Sequence, residues 1–132
     1  MIQVQTWLKT IDNSGARSVE CIQTLGGFNR SFSYASDLVL VSIKRLRLQR
    51  KVKVGQIHLG LITRTRKQTN FLDGTSSFCE NNVILLINRK KRVLGTRFFG
   101  WVSRNLRRKK YLRILLLCGR HVLLFFNAKH YN

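Results

Sequence analysis

Short stretches in which apolar and polar residues alternate are the feature that most constrains the fold of this chain. Alternation with a period of two places every second side chain on one face of a β-strand. The clearest examples are Val39, Val41 and Ile43 in one stretch and Ile57, Leu59 and Leu61 in another. Strong helical periodicity is absent over most of the chain, so the pattern predicts a mainly β protein.

The individual stretches predict a small closed barrel. Strands are expected over residues 3–11, 19–25, 38–48 and 83–87, the last a continuous apolar run typical of a strand buried on both faces. After Ile43 the apolar phase shifts to Leu46 and Leu48, which predicts a bulge or bend of the kind that a small barrel requires. Asp73-Gly74 predicts a hairpin turn, and residues 104–110 predict the start of a short helix.

The charge balance indicates what the protein binds. The 132 residues include 25 Lys and Arg against five Asp and Glu, a formal net charge of +20. A compact domain with that charge repels itself and is stabilised by a polyanion. Nucleic acid is the leading candidate partner, and an anionic membrane surface is the alternative.

The basic residues are clustered rather than scattered. Four segments, residues 44–53, 64–67, 89–97 and 104–113, contain 20 of the 25. Each segment is expected at a strand end or in a loop, and loops at one end of a barrel would bring the clusters together. Such a surface would grip RNA phosphates through Lys and Arg and would be largely blind to base sequence.

The sequence disfavours enzymatic, metal and membrane-spanning functions. The five acids are isolated from one another, so no local carboxylate pair suggests acid–base catalysis. Three cysteines and three histidines show no metal-ligand spacing, and no cofactor motif is present. An RNA-processing enzyme is therefore a poor third hypothesis. The apolar region 112–126 is interrupted by charged residues and is too short to span a membrane.

Two small features leave alternatives open. The stretch Asn13-Ser14-Gly15-Ala16-Arg17 is suited to a close approach of backbone to phosphate, but also to a plain tight turn, and Gly95-Thr96-Arg97 is similar. Several aromatic side chains could stack on unpaired bases, although core packing suits most of them better. These are Phe28, Phe32, Tyr34, Phe71, Phe98, Phe99 and Trp101.

An ordered set of short motifs resembles the universal large-subunit ribosomal protein L-fourteen family from Met1 to about Val122. The first half carries Met1-Ile2-Gln3, Gln5-Thr6, Asp12-Asn13-Ser14-Gly15-Ala16-Arg17, Cys21-Ile22, Leu25-Gly26-Gly27, Lys51-Val52-Lys53 and Gly55. The second half carries Arg64-Thr65, Lys67, Asp73-Gly74, Phe78, Asn82, residues 85–88, Gly95-Thr96-Arg97, Phe99-Gly100, Val102, Arg104 and Leu106-Arg107. Each motif is weak alone, and their common order makes the match specific.

The resemblance implies a five-stranded β-barrel with a projecting hairpin and short C-terminal helices, formed by residues 1–122, with a C-terminal extension at 123–132. It implies binding to large-subunit rRNA, large-subunit proteins three and nineteen as neighbours, contact with small-subunit rRNA across an intersubunit bridge, and a surface for a silencing factor. RNA contact is carried onto Asn13, Ser14, Arg17, Lys51, Lys53, Arg64, Lys67, Arg97, Arg104 and Arg107. The basic clusters add Lys44, Arg45, Arg66 and Arg108.

Departures from the family pattern suggest where the protein works. Trp101 stands where the family usually has Pro, the chain contains no Pro at all, and residues 89–92 are more basic than the usual turn. With the divergent tail, these features suggest a mitochondrial ribosome, with a bacterial cytoplasm or a plastid as alternatives. Because Met1 coincides with the start of the family pattern, the gene is expected to reside in the organelle.

Overall fold

A computed structural model describes residues 1–48, 51–70, 74, 76–90, 92–103, 106 and 111–118. The strands are β1 (Trp7–Thr10), β2 (Ala16–Thr24), β3 (Leu38–Leu46), β4 (Ile57–Arg64), β5 (Thr69–Asn70), β6 (Ser76–Ser77) and β7 (Val83–Ile87). Within the described residues the short helix α1 (Leu112–Leu117) follows them. The protein is mainly β, as the alternating pattern predicts.

Five of the strands form a closed barrel in the order β1-β2-β3-β4-β7. Neighbouring strands are antiparallel except for β1 and β7, which pair in parallel and close the barrel. Strands β5 and β6 form a separate two-stranded hairpin, and Gly74 between them has a φ of 79°. The five-stranded barrel and the hairpin are therefore confirmed, while Asp73 lies outside the described residues.

The phase shift predicted after Ile43 is a β-bulge between β2 and β3. Between the pair Val19–Ile43 and the pair Ser18–Arg45, β3 advances by two residues while β2 advances by one. Lys44 is the extra residue, and the bulge leaves both Lys44 and Arg45 exposed. Bulges increase the local twist that a small barrel needs.

Strand β7 is buried on both faces, as its unbroken apolar sequence predicts. Ile84 and Leu86 belong to the core inside the barrel, together with Val41 and Ile62 from neighbouring strands. The alternate residues Val83, Leu85 and Ile87 belong to a second core on the outside of the barrel. That outer core is completed by C-terminal side chains, namely Phe98, Val102, Leu106, Ile114 and Cys118.

Several expectations about strand ends are wrong, and β2 begins at Ala16 rather than at residue 19. The first strand begins at Trp7 rather than at residue 3, because Gln5 has a φ of 66° and the amide of Thr6 bonds back to the carbonyl of Gln3 at 3.3 Å, so the chain turns there. Strand β3 ends at Leu46, and Leu48 is fully exposed. The helix expected over 104–110 and the tail 123–132 lie outside the described residues, apart from the buried Leu106.

Candidate nucleic-acid interface

The barrel topology gathers three loops at one end. Strand β3 is antiparallel to β2 and β4, and β7 is antiparallel to β4 and parallel to β1. The ends of β1, β3 and β7 therefore lie beside the starts of β2 and β4. The connecting segments 11–15, 47–56 and 88–97 all emerge there, and we call this the cationic end.

Hydrogen bonds tie these three loops to one another. The Asn13 side chain donates to Thr96 Oγ1 at 2.9 Å, and its Oδ1 accepts the backbone amides of Thr96 at 2.8 Å and Arg97 at 3.3 Å. The Gly15 carbonyl accepts the amide of Arg47 at 2.7 Å, and the adjacent carbonyl of residue 14 accepts the amide of Lys51 at 2.9 Å. The segments thus form one connected surface.

The contact between the first and third loops requires a glycine. A Cβ placed on Gly95 would lie 2.7 Å from Asp12 Cβ and 3.2 Å from the Asn13 backbone nitrogen. Asp12 is itself buried, accepts the Ser14 hydroxyl at 2.7 Å, and accepts the amide of Leu86 at 3.4 Å. Burial raises the pKa of the Asp12 carboxyl, and these hydrogen bonds to the carboxylate oppose the rise.

The cationic end combines exposed Lys and Arg with little opposing charge. Its exposed cations are Arg17, which lies beside the first loop at the start of β2, and Arg47, Lys51, Lys53, Arg89, Lys90, Arg92 and Arg97 in the second and third loops. Ion pairs among the residues that the structure describes join Arg30 to Asp37 and Lys44 to Glu20, so none of those eight cations is neutralised there. An open cavity of about 740 Å³ lies among Arg17, Leu46, Arg47 and Leu48.

The glycine-bearing stretch that begins at Asn13 is a tight turn bonded within the protein. Gly15 has a φ of 97°, a conformation that glycine adopts without strain. Ser14 is fully buried and its hydroxyl donates to Asp12, while the Asn13 side chain is half-buried and used by the third loop. Among the residues of this stretch named as RNA contacts, Arg17 alone presents an exposed side chain.

The cluster 64–67 lies at the opposite end of the barrel, so the expectation that all four clusters share one end is wrong. Arg64 closes β4, whereas the cationic end lies at the start of that strand. Its Nε donates to the carbonyl of Trp101 at 2.6 Å, and its guanidinium lies 4.7 Å from the Trp101 ring centroid. Partial burial lowers the pKa of Arg64, whose side chain holds the 99–101 loop. Arg66 and Lys67 are exposed there.

Five residues of the interface region are absent from the sites predicted from sequence, namely Arg47, Arg89, Lys90, Arg92 and Trp7. Arg47 belongs to a predicted basic cluster and is exposed on the cationic end. Trp7 lies on the barrel wall with the Arg45 guanidinium 5.6 Å from its ring centroid. Its alternation with the buried Leu8 was the sequence signal for an outward side chain. Arg104, Arg107 and Arg108 lie outside the described residues.

The described part of the chain contains no group of three or more His, Cys, Asp or Glu side chains arranged to hold a metal ion. None of its helices has the length and apolar character required to cross a membrane.

The fold and its surface define a class: a small structural β-barrel whose loops at one end carry a dense positive charge. The family model described as Ribosomal protein L14p/L23e matches residues 1–122, which is most of the chain. The protein belongs to that family. It is therefore a structural constituent of the large ribosomal subunit and not an enzyme.

Proposed function

We propose that the cationic end binds large-subunit rRNA and so anchors this protein in the subunit. The observation that supports it best is the hydrogen-bonded union of three loops that present seven exposed cations, with Arg17 beside them at the start of β2, none of the eight paired with a carboxylate in the described chain. Each Lys or Arg that meets a phosphate releases condensed counterions, so separate side chains add to the affinity.

A rigid arrangement of the loops makes the surface selective for shape. Because Asn13 and Gly95 hold the first and third loops together, Arg17 and Arg97 start from fixed backbone positions. Folded RNA is recognised mainly through the placement of its phosphates and riboses. Cations at fixed spacing therefore distinguish one RNA fold from another without reading bases.

The proposal also includes the neighbours of the protein in the ribosome and the compartment in which that ribosome works. From the resemblance to this family we propose proteins three and nineteen of the large subunit as neighbours and small-subunit rRNA as the partner across an intersubunit bridge. The net charge of +20 and the absence of Pro support a mitochondrial ribosome as the location. Mass spectrometry of ribosomes purified from mitochondria, cytosol and any plastids of the source cells tests it, and recovery only outside mitochondria contradicts it.

Substitution of single cations tests the binding surface. Binding of transcribed large-subunit rRNA is measured against salt concentration for the wild type, Arg47→Gln and Lys51→Gln. Each variant is expected to reduce the slope of log affinity against log salt by about one, because one phosphate contact is lost. Both side chains are exposed, so the fold is expected to be retained.

Arg113→Gln is the matched control. It removes the same charge from an exposed position on α1, which belongs to none of the three loops of the cationic end, and the slope is expected to stay at the wild-type value. An equal loss in all three variants would show that net charge alone drives binding.

Flotation with anionic phospholipid vesicles is run in parallel, and lipid binding without preference for rRNA would favour a membrane-surface protein instead.

A further inference from the structure

The outer wall of the barrel carries an exposed aromatic side chain at the start of β1, the end of that strand away from the cationic end. Trp7 on β1 lies opposite Glu20 on β2, and the next outward row consists of Lys9, Ser18 and Arg45 across β1, β2 and β3. Trp7 is 52% exposed although its strand neighbour Leu8 is buried at 1%. The indole therefore lies on the outer, solvent-exposed face of β1.

The indole is positioned by a cation rather than by the core. The guanidinium of Arg45 lies 5.6 Å from the Trp7 ring centroid, within the range of a cation–π interaction. Arg45 is itself set by the bulge in β3, which leaves it exposed after the inward-facing Ile43. This contact restricts the indole on an otherwise open wall, so less conformational entropy is lost when a ligand stacks on it.

The charge around Trp7 is positive. Glu20 is the acidic residue in the row of Trp7, and Lys44 neutralises it at 2.8 Å. Lys9 and Arg45 occupy the next row and are exposed. An aromatic ring among cations, with its nearest carboxylate already paired, has the composition of a surface that stacks nucleic-acid bases.

We propose that Trp7 stacks an unpaired base of the rRNA, with Arg45 and Lys9 beside the phosphates of that strand. This inference rests on the proposed RNA-binding function and adds a contact of a different chemical kind. Strand β3 ends one residue after Arg45, where the 47–56 loop of the cationic end begins. An RNA backbone held by that loop therefore passes next to the wall.

An RNA strand complements the charge and the aromatic side chain of this wall better than a protein partner does. A protein covering Trp7 would bury Arg45 and Lys9 and would have to supply carboxylates to meet them. RNA carries a negative charge at each nucleotide together with a base that has a stacking face. A protein occupant is nevertheless one of the outcomes of the experiment.

Two substitutions of Trp7 separate stacking from apolar area. Trp7→Leu keeps an apolar side chain but removes the aromatic face, and it is expected to weaken binding of transcribed large-subunit rRNA by about 5- to 150-fold. Trp7→Phe keeps a smaller face and is expected to retain most of the affinity. Because the side chain is half exposed, both variants should melt near the wild-type temperature.

The salt dependence distinguishes this contact from the phosphate contacts. Stacking releases no counterions, so Trp7→Leu is expected to keep the wild-type slope, whereas Arg47→Gln reduces it.

A 12-nucleotide oligo(A) is expected to quench the Trp7 fluorescence of the wild type, and the same strand in an A·U duplex is expected to quench it less. Trp7→Leu, which retains Trp101, provides the background.

Results other than those expected distinguish failure of the stacking contact from failure of the proposed function. If Trp7→Leu binds rRNA like the wild type while Arg47→Gln shows its reduced slope, rRNA binding stands and the stacking contact is wrong. If neither variant differs from the wild type, the proposed function fails as well. Ultraviolet crosslinking of assembled large subunits is expected to join Trp7 to an rRNA nucleotide, and a crosslink to a ribosomal protein instead would overturn the inference.

Discussion

The polar side chains of Asn13 and Ser14 at the cationic end are hydrogen-bonded within the protein. Asn13 bonds two backbone amides and one hydroxyl of the third loop, and Ser14 is buried against Asp12. The sequence motif that contains them has the composition of a phosphate-binding loop, and composition alone does not reveal which polar groups are already bonded inside the fold. Burial and hydrogen-bond partners decide that question.

Close packing at Gly95 holds the third loop against the first. Gly95→Ala is expected to lower the free energy of unfolding by about 1–3 kcal/mol, because the new Cβ meets Asp12 and the Asn13 backbone, neither of which is a flexible chain end. Gly27→Ala is the control, since its Cβ would lie 3.8 Å from the nearest atom of Arg30. Urea denaturation measures both variants, and equal stabilities would show that the loops separate readily.

At the scale of elements, strand β7 was the segment that the sequence described best. Its unbroken apolar run from Val83 to Ile87 predicts burial on both faces, and each face joins a different core. Strand β1 was predicted less well. The sequence fits a strand from residue 3 onward, but the chain turns at Gln5, which has a positive φ. Hydropathy alternation does not reveal that turn.

The two faces of β7 are expected to contribute comparably to stability. Leu85→Ala removes packing from the outer core and Leu86→Ala from the barrel interior, and each is expected to cost about 2–5 kcal/mol. Leu116→Ala on α1, where the side chain is 77% exposed, is expected to change little. Guanidinium denaturation checks the set, and a negligible effect of Leu85→Ala would mean that the outer core adds no stability.

At the scale of the whole molecule, the sequence identified the barrel and its charge but not the division of that charge between the two ends. Segments 47–56 and 64–67 lie at the two ends of β4, so the length of that strand separates them. Segment 88–97 joins the 47–56 loop because β7 is antiparallel to β4. Hydropathy alternation locates strands but does not specify which strands pair or in which direction, so it does not predict the end at which each cluster lies.

The net charge of +20 gives a prediction for the isolated protein. Raising NaCl from about 0.02 to 0.3 M is expected to raise its melting temperature and its solubility, because added ions screen the repulsion among the cations. Differential scanning fluorimetry follows the melting temperature, with sucrose as an uncharged control. A melting temperature that falls or stays constant with salt would show that self-repulsion does not limit stability.

The parallel pairing of β1 with β7 also governs when the fold can form during synthesis. Strands β2, β3 and β4 can pair in sequence as their residues leave the exit tunnel, but β1 lacks its second neighbour until Ile87 has emerged. Until then the nascent sheet has two open edges, which are prone to pair with other chains. Emergence of residues 83–87 from the exit tunnel is thus the step that converts an open, aggregation-prone sheet into a closed barrel.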